Sequence, residues 1–160
     1  MKINLRVWLV IPDAEAATVK NTLVRRLGYA DVLKDVRKER LFSIEVEETD
    51  DPLELAGRFA RELVNENKES YLASVDSLKF DDGFVPVKVG LHIEDGEAIS
   101  VMNRLVHRLG LTMVRGVEKA TIWKLYLQTP DKEAVAREIA ERLLINPNKD
   151  RYQILPTSKD

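Results

Sequence analysis

From Ile3 to Ile11 the chain alternates, with Ile3, Leu5, Val7, Leu9 and Ile11 on one side. It does so again from Val85 to Ile93, with Val85, Val87, Val89, Leu91 and Ile93. A period of two over about nine residues predicts a half-buried strand. Each run leads into an aspartate, Asp13 or Asp95, suited to cap a helix. The helix predicted next has its apolar stripe at Ala16, Val19, Leu23 and Leu27, and in the later stretch at Ala98, Val101, Leu105 and Leu109. That spacing covers one helical face. Gly28 and Gly110 then stand where a helix ends most easily on a left-handed residue.

Further on, Phe42, Ile44 and Val46 alternate in the first stretch, and Trp123, Leu125 and Leu127 in the second. Residues 32–47 and 114–128 read as two strands apiece, joined by a tight charged turn around Asp35–Glu39 and Gly116–Ala120. Second helices follow. One starts near Asp51-Pro52 with the stripe Leu55, Phe59, Leu63, the proline sitting where no donor is lost. The other starts near Thr129-Pro130 with Val135, Ile139, Leu143. A short strand closes each stretch, near 70–73 and 151–155.

The two stretches are copies. Residues 13–28, DAEAATVKNTLVRRLG, and 95–110, DGEAISVMNRLVHRLG, are identical at 10 of 16 positions. Amphipathic patterning does not demand the matches Asp13/Asp95, Glu15/Glu97, Asn21/Asn103 and Arg26/Arg108, so internal duplication accounts for them. The expected fold class is α+β: two tandem β-α-β-β-α-β units, each a two-layer antiparallel sheet with helices on one face, related by a pseudo-twofold. The expected boundaries are 1–73 for the first unit, 74–84 for a linker containing the turn Asp81-Asp82-Gly83, and 85–156 for the second unit. One such unit buries only roughly 60% of its unfolded surface and is marginal alone. Two fused units form a covalent version of a symmetric dimer.

Composition narrows function by exclusion. The chain has 160 residues, no cysteine and a formal net charge of −2. Thiolate chemistry and disulfides are excluded. Neither a basic nucleic-acid footprint nor a polybasic membrane surface is present. No stretch approaches the ~20 apolar residues of a membrane span. The opening MKINLRVWLVIPDAE alternates and reads as a strand, not a signal peptide, so a cytoplasmic location is expected.

No G-x-G-x-x-G, P-loop or H-E-x-x-H occurs. His92 and His107 are the only histidines. Neither recurs in the other copy, so neither belongs to a shared function. The carboxylate pairs Glu45/Glu47, Asp50/Asp51 and Asp81/Asp82 read as a solvated sheet face, a helix cap and a turn. The basic stretch Arg37-Lys38-Glu39-Arg40 suits an acidic partner or a charged hairpin tip. Catalytic, cofactor and metal residues are all expected to be none.

The repeated residues also carry a resemblance. A helix ends in Leu27-Gly28-Tyr29, Asp35-Val36-Arg37 leads into a strand, and Leu143-Leu144-Ile145-Asn146-Pro147 precedes Asp150-Arg151-Tyr152. In that order they resemble the PurS family, the small subunit of phosphoribosylformylglycinamidine (FGAM) synthase, covering nearly the whole chain twice as a tandem fused pair. Copy two has Gly116-Val117-Glu118 in place of Asp-Val-Arg, and copy one has Asn65-Glu66 in place of Asn-Pro.

The resemblance implies a non-catalytic subunit in de novo purine biosynthesis. It would bridge a large synthase subunit and a glutaminase subunit, with ATP and glutamine used by those partners and no cofactor held by this chain. It points to Arg37, Lys38, Arg40, Asn146 and Pro147 as partner-interface residues, and leaves further homo-oligomerisation open. An alternative reading is a pair of ACT-like small-molecule-sensing domains, which bind ligand at the turn from first strand to first helix. Only copy two has a glycine there, Gly96.

Overall fold

A computed structural model describes residues 1–91 and 94–158. His92 and Ile93 lie outside the described residues. The element order is β1 (Lys2–Leu9), α1 (Ala14–Arg25), β2 (Leu33–Val46), α2 (Pro52–Leu63), β3 (Glu69–Val75), β4 (Val85–Leu91), α3 (Gly96–Asn103), β5 (Val114–Leu127), α4 (Lys132–Ile139) and β6 (Asp150–Ile154). The strands run in the order β3-β1-β2-β5-β4-β6, so the fold is α+β with one six-stranded sheet. β1 lies between β2 and β3, and β4 between β5 and β6, each pairing antiparallel.

The duplication is visible in this order, but each copy is β-α-β-α-β. The expected charged hairpins are absent. Residues 33–46 and 114–127 are each one continuous strand of 14 residues. The physical reason lies in the stretches that were read as turns. A tight hairpin needs residues at positive φ, and none of these residues has one, Gly116 included. Their charges are also satisfied sideways: Lys38 pairs with Glu15, Glu39 with Lys124 and Arg40 with Glu69. A strand whose charges find partners on neighbouring elements has no cause to turn.

Aspartate caps all four helices. Asp13, Asp51, Asp95 and Asp131 each accept a peptide N–H from the first turn. The last cap moves the start of α4 beyond Thr129-Pro130 to Lys132. Gly28 and Gly110 close the first helix of each copy at φ 85° and 69°. The chain then folds back identically, the Tyr29 N–H donating to Leu23 O and the Leu111 N–H to Leu105 O.

The copies differ in one respect here. α3 continues into a π-helical turn, Arg104–Arg108. Leu109, just past this turn, is 41% exposed while Leu105 is fully buried.

Gly28→Ala and Gly110→Ala should each destabilise the protein by about 1 kcal/mol, because a Cβ is disfavoured at positive φ. Gly57→Ala should do the reverse by about 0.5–1 kcal/mol: it sits inside α2, and a methyl there meets nothing within 4 Å. Urea titration of the three variants checks the signs. A stabilised Gly28→Ala protein would contradict the left-handed cap.

Two compact units divide the chain, and each takes segments from both copies. Unit 1 is 1–11, 40–78 and 94–120; unit 2 is 12–39, 79–93 and 121–160. In unit 1 the core gathers Ile3, Leu5 and Val7 of β1, Phe42 and Ile44 of β2, Leu55 and Phe59 of α2, and also Val101 of α3 and Leu105 of its π turn. In unit 2 it gathers Ala16 and Leu23 of α1 with Val87, Trp123, Leu125, Ala136 and Ile139. Each core therefore lies between a sheet face and two helices, one helix from each copy. β2 and β5 run from one unit into the other.

Candidate interaction surface

The charged middles of β2 and β5 are where sequence reasoning placed its candidates. Alternation decides where each one goes. Even-numbered residues of β2 follow Val36 and Phe42 toward the helices, and odd-numbered ones point to the opposite face. Arg37 is thus separated from Lys38 and Arg40, although the three are near neighbours in sequence.

On the helix side of unit 2, the Lys38 Nζ lies 2.6 Å from Glu15 Oε2 and 3.9 Å from Asp13 Oδ2, at the first turn of α1. The helix N-terminus favours those carboxylates, and they in turn hold the ammonium, which is 18% exposed. Unit 1 repeats the device: Lys119 of β5 pairs with Glu97 in the first turn of α3. Burial lowers the Lys119 pKa below the ordinary lysine value. The nearby Arg40 guanidinium lowers it further, and Asp95 opposes both. Arg40 is held by Glu69 at 2.6 Å and lies over the Phe42 ring. The second oxygen of Glu69 accepts the Asn65 N–H, tying the α2–β3 loop to β2.

On the opposite face, unit 2 carries a buried ion pair. Lys124 Nζ lies 3.1 Å from Glu39 Oε2, and the Glu39 side chain is 3% exposed. The ammonium also sits over the Phe84 ring, and Phe84 touches both Phe80 and Tyr126. The linker segment thus contributes an aromatic cover, with Phe80 fully buried. Arg37 lies on this face. It pairs with the exposed Asp35, packs over Tyr126 and keeps 64% of its side chain exposed. Of the basic candidates it is the one most open to a partner.

Asn146 and Pro147 are exposed in the loop between α4 and β6. The loop is closed by its own hydrogen bonds: the Asn146 N–H donates to Asp150, the Asn148 N–H to the Asn146 side chain and the Asp150 N–H to Asn146 O. Copy one forms the same loop through Asn65, Asn67 and Glu69, without a proline. Pro147 is therefore not what shapes this loop.

Sequence reasoning missed the paired lysines. The signal was present, since Lys38 and Glu15 recur in register as Lys119 and Glu97. The Glu39–Lys124 pair left no such trace, because copy two has Ala120 in the place of Glu39.

Among the described residues no group of three or more His, Cys, Asp or Glu is arranged to hold a metal ion. His107 is exposed in the π turn, apart from any such group. A surface cleft of about 620 Å³ in unit 2 is lined by Phe84, Pro86, Pro130, Asp131, Ile154 and Pro156. None of the buried polar side chains, Asn4, Glu39 and Ser43, lines it.

These features define a duplicated α+β chain whose charged clusters brace helix starts against strands and leave a few cations for partners. No helix among the described residues is long and apolar enough to cross a membrane. Residues 85–157 match the PurS family, described as phosphoribosylformylglycinamidine (FGAM) synthase. Copy two is thus similar to PurS-family units, over a little under half of the chain. No curated protein matches the chain.

Proposed function

We propose that the chain is a non-catalytic PurS-type subunit of FGAM synthase, with 1–73 as a second PurS-like unit fused to 85–156. It bridges a large synthase subunit and a glutaminase subunit in the cytoplasm, and ATP and glutamine are consumed by those partners. The observation that carries this reading is the family match over copy two. The repetition of fold, caps and Lys–Glu pairs in copy one supports extending it to the whole chain. One such chain takes the place of two single-unit subunits.

Arg37 is the first contact to test, with Lys38, Arg40, Asn146 and Pro147 as further candidates. The chain should co-purify with synthase and glutaminase subunits, with one copy of it where two small subunits are expected. Arg37→Glu should weaken that assembly about tenfold or more while leaving the melting temperature unchanged, since the Asp35 side chain it pairs with is 38% exposed. Arg40→Glu should also lower stability, because it sets a carboxylate against Glu69. Full assembly with both charges reversed would count against this surface.

A further inference from the structure

The outer face of α3 is unlike that of an ordinary surface helix. Gly96, Ile99, Ser100, Asn103 and His107 recur at helical spacing, opposite the buried Ala98, Val101 and Leu105, and all five are exposed. Such faces usually carry long charged side chains. Here the first four residues have none, and Ile99 is 44% exposed. With Arg104 and Arg108 the five line a shallow groove of about 570 Å³, all of it within unit 1.

The charges lining the groove are of one sign. Arg104, His107 and Arg108 all fall in the π turn. The acids nearby are engaged elsewhere: Glu97 is drawn to Lys119, and Asp95 accepts the Glu97 and Ala98 N–H groups. Glu62 of α2 lies 3.6 Å from the Arg104 guanidinium and leaves 39% of that side chain exposed. His107 and Arg108 have no carboxylate partner among the described residues. The chain as a whole has a formal net charge of −2, so the cationic groove is a local feature. Folding does not require it. α1 is the same helix in copy one, with Asn21 and Arg25-Arg26 in the matching places, yet it has Ala17 for Ile99 and Thr22 for Arg104. The exposed apolar anchor and the third cation are thus specific to α3.

We propose that an acidic amphipathic helix of a partner subunit docks along this groove, an inference that rests on the subunit reading above. The short side chains of Gly96, Ser100 and Asn103 let a second helix approach to about 8–10 Å between axes. From Gly96 to His107 the face runs about 16 Å, so the docked segment has roughly three turns. Its apolar stripe covers Ile99, the anchor that copy one lacks. Its carboxylates meet Arg104 and Arg108, whose charge selects an acidic helix over a neutral or basic one.

The full chain, mixed with purified synthase and glutaminase subunits, tests this. Ile99→Ala gives α3 the residue that α1 already has, so the variant should fold normally. Ile99→Ala and Arg108→Glu should each weaken assembly about tenfold with the melting temperature unchanged. Arg26→Glu, the matching change in copy one, should weaken it less than about twofold. The chain has no cysteine, so a photo-activated cross-linker can be placed on Ser100→Cys alone. It should join a single partner subunit, at a helical segment with more acids than bases. Full assembly by Ile99→Ala and Arg108→Glu, or an equal loss with Arg26→Glu, overturns the docking site and leaves the subunit reading standing. So does a cross-link to a segment without acidic excess or to a second copy of this chain. No assembly with either subunit overturns the subunit reading and the docking site together.

Discussion

Residues 1–78 expressed alone should not yield a folded monomer. The first unit's core takes Val101, Leu105, Leu111 and Val114 from copy two, and all four are buried. At about 1.5–3 kcal/mol for each buried aliphatic side chain, their loss removes roughly 6–12 kcal/mol. That is comparable to the whole stability of an ordinary domain, about 5–15 kcal/mol. α1, which this fragment keeps, would in turn lack the β4, β5 and α4 residues it packs with in unit 2. Circular dichroism and sedimentation of the fragment check this. Unfolded chain or a self-associated species is the expected result, and a cooperatively melting monomer would falsify the exchanged-helix arrangement. Adding residues 79–160 in trans should restore cooperative folding.

Phe59→Ala should cost about 3–5 kcal/mol, the usual loss when a fully buried aromatic leaves a cavity. Phe59 has no exposed surface, and its cluster draws on β1, β2, α2 and α3. Leu53→Ala, on the same helix, is the control: Leu53 is 63% exposed, so its loss should change stability by less than about 0.5 kcal/mol. Denaturant midpoints of the two variants separate burial from any general effect on α2. Equal midpoints would mean that the α2 face is wrongly assigned.

Particular elements show how far local pattern reaches. The stripes Leu55-Phe59-Leu63 and Ala98-Val101-Leu105 are buried as read, because a 3.6-residue period can be satisfied only by a helix with one face covered. Asp51 and Gly28 act where their chemistry suits them. The charged middles of the long strands were misread as turns because their ion-pair partners are far away in sequence: 23 residues between Lys38 and Glu15, 85 between Lys124 and Glu39. Phe80, in a segment that otherwise reads as linker, is buried only because the far side of the sheet needs cover.

Local pattern settles the duplication, the α+β class, the four helices with three of their aspartate caps, and the resemblance that the family match over copy two bears out. All of these rest on short-range chemistry: period, cap, positive-φ glycine and residue order. Only the tertiary structure decided that each copy holds one long strand, and that α1 and α3 enter cores built around the other copy's outer strands. The helices α1 and α3 carry nearly the same stripe, so either would fit either core. What assigns them is where β2 and β5 carry the chain between the two units, and no local pattern records that. The same holds for VRRLG and VHRLG: the two endings announce two like helices, but not that each one packs in the other copy's half of the sheet.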